Sequence, residues 1–263
     1  MDTFLYYISQ FSQDYVVFPL IIFGILFLDR QLFLRIVVLL LFGIAINVFL
    51  KNVFQVPLNP ELHKDWWAFP SGHVQLTATF YGYLAYHYRN LFLSIAVALI
   101  LIGESFSVVH FKYHDWMDVI GGLVAAGVWI VTFEVIRKSA PFRNRFYLFA
   151  LILLPLAFIL ERFSSKVPGV HQIVLGAFIG VTLGLWFDQF VATKKTLSFI
   201  EVLLVLGGAV AFYFGISYML GTSVPAWIHL SKPIGILMLY ALPTFWIVCG
   251  SRIAGTLLGR RKG

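Results

Sequence analysis

The length of the apolar blocks constrains this chain more than any other feature. A helix needs roughly 20 consecutive apolar residues to cross a hydrocarbon core about 30 Å thick, and several stretches reach that length. Charged residues make up only 12% of the 263, about half the share in an ordinary soluble domain. A soluble globular fold is thereby excluded. Reading the apolar runs between charged and Pro/Gly/Ser breaks gives nine spans, over 15–29, 33–50, 71–88, 91–109, 116–136, 146–161, 169–188, 198–219 and 233–250. The expected architecture is all-α, a polytopic transmembrane helical bundle. Residues 1–14, with Phe4, Tyr6, Tyr7, Ile8 and Phe11, read as a short amphipathic helix lying in the membrane interface.

The formal net charge of +7 does not point to nucleic acid. Apart from Arg260, Arg261 and Lys262, the basic residues sit between apolar blocks, as the positive-inside rule requires. One set of loops holds Arg30, Arg35, Arg89, Arg137, Lys138, Arg143, Arg145, Lys194 and Lys195, with Arg252, Arg260, Arg261 and Lys262 in the tail. The opposite set holds Lys51, Lys64, Lys112, Arg162, Lys166 and Lys232. The more basic side is expected to be cytoplasmic, which puts the N-terminus outside and the C-terminus inside. Met1 to Tyr15 carries no basic leader region, so no cleavable signal is expected. Cys249, the single cysteine, excludes an intramolecular disulfide and a cysteine-rich metal site.

Polar residues at helix mouths stand out against this background. Lys51 ends the second span, Pro70-Ser71-Gly72-His73 opens the third, and His114 to Asp118 opens the fifth. The topology brings all three to the extracytoplasmic side. The set suits phosphate-ester chemistry. Ser71 and Gly72 at a helix N-terminus offer backbone N–H groups to an anion, and Gly72 allows close approach to the backbone. Lys51 adds positive charge. His114 and Asp118, four apart, fall on one helical face, so the carboxylate orients the imidazole and leaves its other nitrogen free for attack. His73 is placed to protonate the leaving oxygen and then activate water.

Plainer readings stand beside these. Pro-Ser-Gly-His is also an ordinary Ser-capped helix start, and a lysine ending a span often only snorkels to the interface. His110, His114 and Asp118, at successive steps of four, match a metal-ligand spacing, but that reading leaves the Ser-Gly-His segment unexplained. Glu104 is either a buried partner for a basic group near the site or a helix-packing residue. Glu134 and Glu201 are expected to be solvated, and Trp66 and Trp67 to sit at the membrane surface near the mouth of the site.

The motifs resemble those of the type 2 phosphatidic acid phosphatase superfamily, the lipid phosphate phosphatases. That family carries Lys-x6-Arg-Pro, Pro-Ser-Gly-His and Ser-Arg-x5-His-x3-Asp. Here the second motif is complete at Pro70 to His73, and the third holds at Ser107, His114 and Asp118. The first holds at Lys51, with Pro60 one residue beyond its place. Both motif arginines are replaced, by Leu58 and Val108. Lys64, His110 and Lys112 are auxiliary candidates for the lost positive charge, with His63 nearby. The resemblance implies His114 as the nucleophile forming a phosphohistidine, Asp118 as its orienting partner, His73 as the general acid, and no metal or other cofactor. Lys51, Ser71 and Gly72 would bind the phosphate. The sphingomyelin synthases, related lipid phosphotransferases, keep a similar triad without the arginine pair.

The expected protein is therefore a membrane-embedded hydrolase of a lipid phosphomonoester or diphosphate. Its partners would be a phosphorylated lipid substrate and membrane lipids, with no nucleic acid. Residues 1–140 would form the catalytic membrane core, and 141–263 would add C-terminal helices of unassigned role. The expected location is a bacterial inner membrane, with the active site facing outward. The rivals are a headgroup phosphotransferase using the same triad and a non-catalytic lipid-binding or transport relative.

Overall fold

Capping residues set where the apolar runs start and stop. The computed structural model describes residues 2–63, 66–143, 145–162, 170–190, 198–220 and 232–257. Ten α-helices follow in order among them: α1 (Asp2–Ser9), α2 (Asp14–Phe27), α3 (Arg30–Phe54), α4 (Gly72–Tyr88), α5 (Leu91–His110), α6 (Trp116–Lys138), α7 (Phe146–Arg162), α8 (Val170–Asp188), α9 (Phe199–Leu220) and α10 (Lys232–Leu257). Asn90 starts α5 by accepting the Leu93 N–H at 3.0 Å, a side-chain cap on one of the orphan donors of the first turn. α4 ends at Arg89 in the left-handed region, φ 49°, its N–H returning to the Ala85 carbonyl at 3.0 Å.

The protein is an all-α helical bundle, and each of the nine expected spans coincides with one of α2 to α10. Four helices, α3, α5, α6 and α9, are long and apolar enough by themselves to cross a membrane. The pair α1–α2, bent by 44°, makes a fifth if taken as one span, and α7, α8 and α10 are apolar over shorter described stretches. α4 is different because it carries Gln75, Thr77 and Thr79, all buried. It packs against both α5 and α6, so its polar residues meet protein and are shielded from lipid.

The chain divides into two compact units. Of the described residues, the first gathers 2–21, 35–139 and 159–162, and it contains every described candidate site residue. Within it, the Trp129 indole on α6 donates to the Leu39 carbonyl on α3 at 2.8 Å. In the second unit α8 lies close along α10, with Gly176 and Gly180 against the Leu237 and Ala241 carbonyls. There Arg30 forms a two-pronged pair with Asp188 at 2.7 and 2.8 Å.

α1 runs antiparallel along α5, with Asp2 at His110 (2.9 Å) and Ile8 seated where Gly103 lacks a side chain. Leu5 is buried there, while Phe4, Tyr6, Tyr7 and Phe11 stay exposed, compatible with a helix lying in the membrane interface. Two sequence expectations change. Glu201 is buried and caps α9 in a reciprocal box with Ser198, which donates its N–H at 2.6 Å. Glu134 is buried as well, held by Tyr83, Arg137 and Lys138. Glu104 proves to be a packing residue. It is 1% exposed, beside Ser12 at the α1–α2 break and near Tyr81, and no basic partner meets it among the described residues.

Candidate active site

The histidine and carboxylate meet, but not on one helical face. α6 begins only at Trp116, because Asp115 is its N-cap. Asp115 accepts the Asp118 N–H at 2.9 Å while the Asp118 carboxylate accepts the Asp115 N–H at 3.3 Å, a reciprocal capping box. His114 therefore lies in the turn before the helix. Its Nδ1 sits 3.0 Å from Asp118 Oδ2, both side chains under a tenth exposed. The carboxylate thus has two jobs, capping α6 and fixing the imidazole so that Nε2 faces away from it.

The turn itself is held by the end of α5. Phe111, Lys112 and Tyr113 return their N–H groups to Ser107, Val109 and Val108, and the His114 N–H goes to Val108 as well. Across from it, the 55–68 loop folds on itself. Leu58 N–H meets the Trp66 carbonyl at 3.1 Å and Ala68 N–H meets Val56 at 2.7 Å. Between loop and turn lies a cavity of about 430 Å³, walled by Val56, Pro57, Asn59, Ala68, Val109 and the 112–116 segment with Asp118.

The Pro-Ser-Gly-His segment is fixed beside this dyad through its backbone. Ser71 donates its N–H to the Asp118 carbonyl at 2.9 Å, so that group is not available to an anion as the sequence suggested. Its hydroxyl is fully buried with no hydrogen-bond partner and makes no cap contact. Gly122 makes the approach possible, because a Cβ there would stand 2.8 Å from the Ser71 carbonyl. Gly72 has its open side toward Asn47, 3.1 Å from a built Cβ; that position makes room for a neighbouring side chain. His73 is on the first turn of α4 with an exposed side chain, outside the described cavity wall.

Lys51 is a clamp on the loop. Its ammonium donates to the Trp67 and Ala68 carbonyls at 2.6 and 2.8 Å, using two of its three donors, and Asp118 is close enough to act on it electrostatically. Trp66 and Trp67 serve the site through backbone carbonyls and are not part of the described wall. His110 is turned away to Asp2, so the His110–His114–Asp118 face does not exist and His110 is no auxiliary cation of the site. His63 bonds the Glu61 carbonyl at 2.9 Å outside the described wall. Lys64 lies outside the described residues. Among the described residues no three His, Cys, Asp or Glu side chains group to hold a metal.

Two residues escaped the sequence reading. Asn47 on α3 donates to Gln75 Oε1 at 2.8 Å and to the Pro70 carbonyl at 3.3 Å, while Gln75 reaches back to the Gly43 carbonyl at 3.0 Å. Both are buried and tie α3 to the start of α4. Their signal was present in the sequence, as amides inside apolar spans.

The sequence model of the PAP2 superfamily matches residues 32–140, which include α4, α5, α6 and both flanking loops. Over that stretch the chain is similar to the PAP2 superfamily. No curated protein and no solved structure gave a significant match. That similarity supports phosphatase-type chemistry on phosphoesters, and the His114–Asp118 dyad lies within the matched residues. Of the family's arginine positions, Val108 is 4% exposed and packs with Val74 and Val119 in an apolar cluster between α4, α5 and α6. That site has no room for a hydrated cation without breaking the cluster.

The Ser71–Gly122 contact yields a direct expectation. Gly122→Ala should drive α6 away from the α4 start, lowering the unfolding free energy in detergent by about 1–3 kcal/mol. Thermal unfolding of the solubilised chain measures it, and an unchanged midpoint would refute the close-packing account.

Proposed function

We propose that the protein removes phosphate from a lipid phosphomonoester or diphosphate through a phosphohistidine on His114. The observation that carries this reading is the buried His114–Asp118 pair at 3.0 Å on the wall of the cavity. Asp118 holds the Nδ1 proton, and the Nε2 lone pair attacks phosphorus, forming a P–N bond as the P–O bond to the lipid breaks. The leaving oxygen takes a proton from His73. Water, deprotonated by the same histidine, then cleaves the P–N bond and frees inorganic phosphate. The reading needs no metal. Val56, Pro57, Tyr113 and Trp116 give the cavity an apolar and aromatic wall, suited to a ligand with an apolar body and one charged end. The side of the membrane on which this occurs follows from the basic loops and is proposed to be extracytoplasmic.

The test is a substrate panel on the full-length chain in mixed micelles: phosphatidic acid, phosphatidylglycerophosphate, polyprenyl diphosphate and lipid A, each with and without an acceptor alcohol. The expected result is inorganic phosphate from at least one lipid, undiminished by chelator. Transfer of the headgroup to the alcohol without free phosphate would make the protein a phosphotransferase. Absence of both products, and of any acid-labile labelled histidine, would leave a non-catalytic lipid-binding protein.

A further inference from the structure

We propose that Lys112 holds the substrate phosphate in place of the two motif arginines, with Glu61 as its resting partner. The inference rests on the phosphatase reading above and assigns the cation which that reading leaves unfilled. Among the described lining residues of the cavity, Lys112 is the one lysine or arginine. Lys51 belongs to the loop clamp and spends two donors there. His110 is turned to Asp2.

Both vacated arginine positions lead structurally to Lys112. Val108, in the apolar cluster, gives its carbonyl to the Tyr113 N–H at 2.9 Å and so anchors the turn that carries Lys112. Leu58 is followed by Asn59, whose side-chain amide donates to the Lys112 carbonyl at 3.4 Å. The cation has moved from the helix and the loop to the turn that both of them hold.

The backbone at Lys112 is the second observation. Lys112 N–H returns to Val109 and Tyr113 N–H to Val108, with Phe111 as the C-cap of α5. This is the Schellman pattern, and its left-handed position, usually glycine, is here a lysine at φ 58°. Glycine suits that position at least as well as lysine, so the turn does not depend on the lysine side chain and the two can be tested apart. Its ammonium rests 3.4 Å from Glu61 Oε2, with both groups about 70% exposed. Such a pair is weak, so a dianionic phosphate entering the cavity can displace Glu61 and take the ammonium through a charge-assisted hydrogen bond.

Glycine at 112 separates this role from a structural one, since it suits the turn better than lysine. Inorganic phosphate is titrated against the detergent-solubilised full-length chain, following the rise of the unfolding midpoint with concentration. Lys112→Gly is expected to melt at or above the wild-type temperature without phosphate, yet to bind phosphate roughly ten- to a hundredfold more weakly. Lys112→Arg should bind within about threefold of wild type, and Glu61→Gln should bind about two- to fivefold more tightly as the resting pair is lost. Wild-type affinity in Lys112→Gly overturns the assignment, and no tightening in Glu61→Gln overturns the resting role of Glu61. If Lys112→Gly binds phosphate normally while His114→Ala stops lipid hydrolysis, this inference fails and the phosphatase reading stands. If no panel lipid is hydrolysed, that reading fails, and the phosphate titration still decides Lys112.

Discussion

His114→Ala is expected to lower phosphate release from the lipid substrate by roughly 10³- to 10⁶-fold, the range for loss of a group that acts as a unit with its partners. The variant should still insert and fold. His114 lies outside the helices, and its backbone N–H, not its ring, is what joins it to Val108. Asp118→Asn tests the pair from the other side. The imidazole and the Asp115 N–H share one carboxylate oxygen, Oδ2, so an asparagine with its nitrogen there donates to Nδ1 and leaves the Asp115 N–H without that acceptor. The imidazole then carries its proton on Nε2, the atom required for attack, and the rate should fall by up to about 10⁴-fold, with about 0.5–2 kcal/mol of stability lost from the weakened cap. Trapping labelled phosphohistidine after acid-free quenching reads both variants directly. Full turnover in His114→Ala, with protein abundance in the membrane fraction unchanged, would remove the nucleophile from the mechanism.

That pairing also shows what a sequence of this kind reveals and what it hides. The helices were legible because apolar length is a local property, and each expected span lies within or within a few residues of its helix. The His114–Asp118 contact was legible from spacing, yet its cause was different. Asp115 caps α6, so the two residues meet across a helix start and not along a face. What depends on a second helix was not legible. The Ser71 N–H looked free for an anion because nothing local reveals that Gly122 lets the Asp118 carbonyl reach it. His110 looked like a site residue because its own helix ends at the site, whereas its partner Asp2 is 108 residues away in sequence. Glu134 looked solvated at a span end because Tyr83, on another helix, supplies the cover.

Glu134→Ala is accordingly expected to destabilise the protein by about 3–5 kcal/mol, the effect of removing one partner from a buried ion pair. The carboxylate, 6% exposed, accepts the Tyr83 hydroxyl at 2.6 Å, the Arg137 guanidinium at 2.7 and 2.8 Å, and the Lys138 ammonium at 2.8 Å. Its loss strands the Tyr83 hydroxyl, on a residue 1% exposed, and leaves Arg137 charged and mostly buried. Glu134→Gln keeps an acceptor for Tyr83 and should fall between wild type and the alanine variant. Glu134→Leu combined with Arg137→Leu removes both charges and should recover most of the loss, because two apolar residues replace an ion pair at little net change. Thermal unfolding in one detergent compares all four proteins, and a double variant no better than Glu134→Ala would show that burial of unpaired charge is not the cause. Glu134 lies 16 residues beyond Asp118 along α6, about 24 Å by helical rise. Below the unfolding transition, turnover in Glu134→Gln should therefore match wild type. A change in rate at that distance, with the fold intact, would mean that the far end of α6 sets the geometry of the dyad.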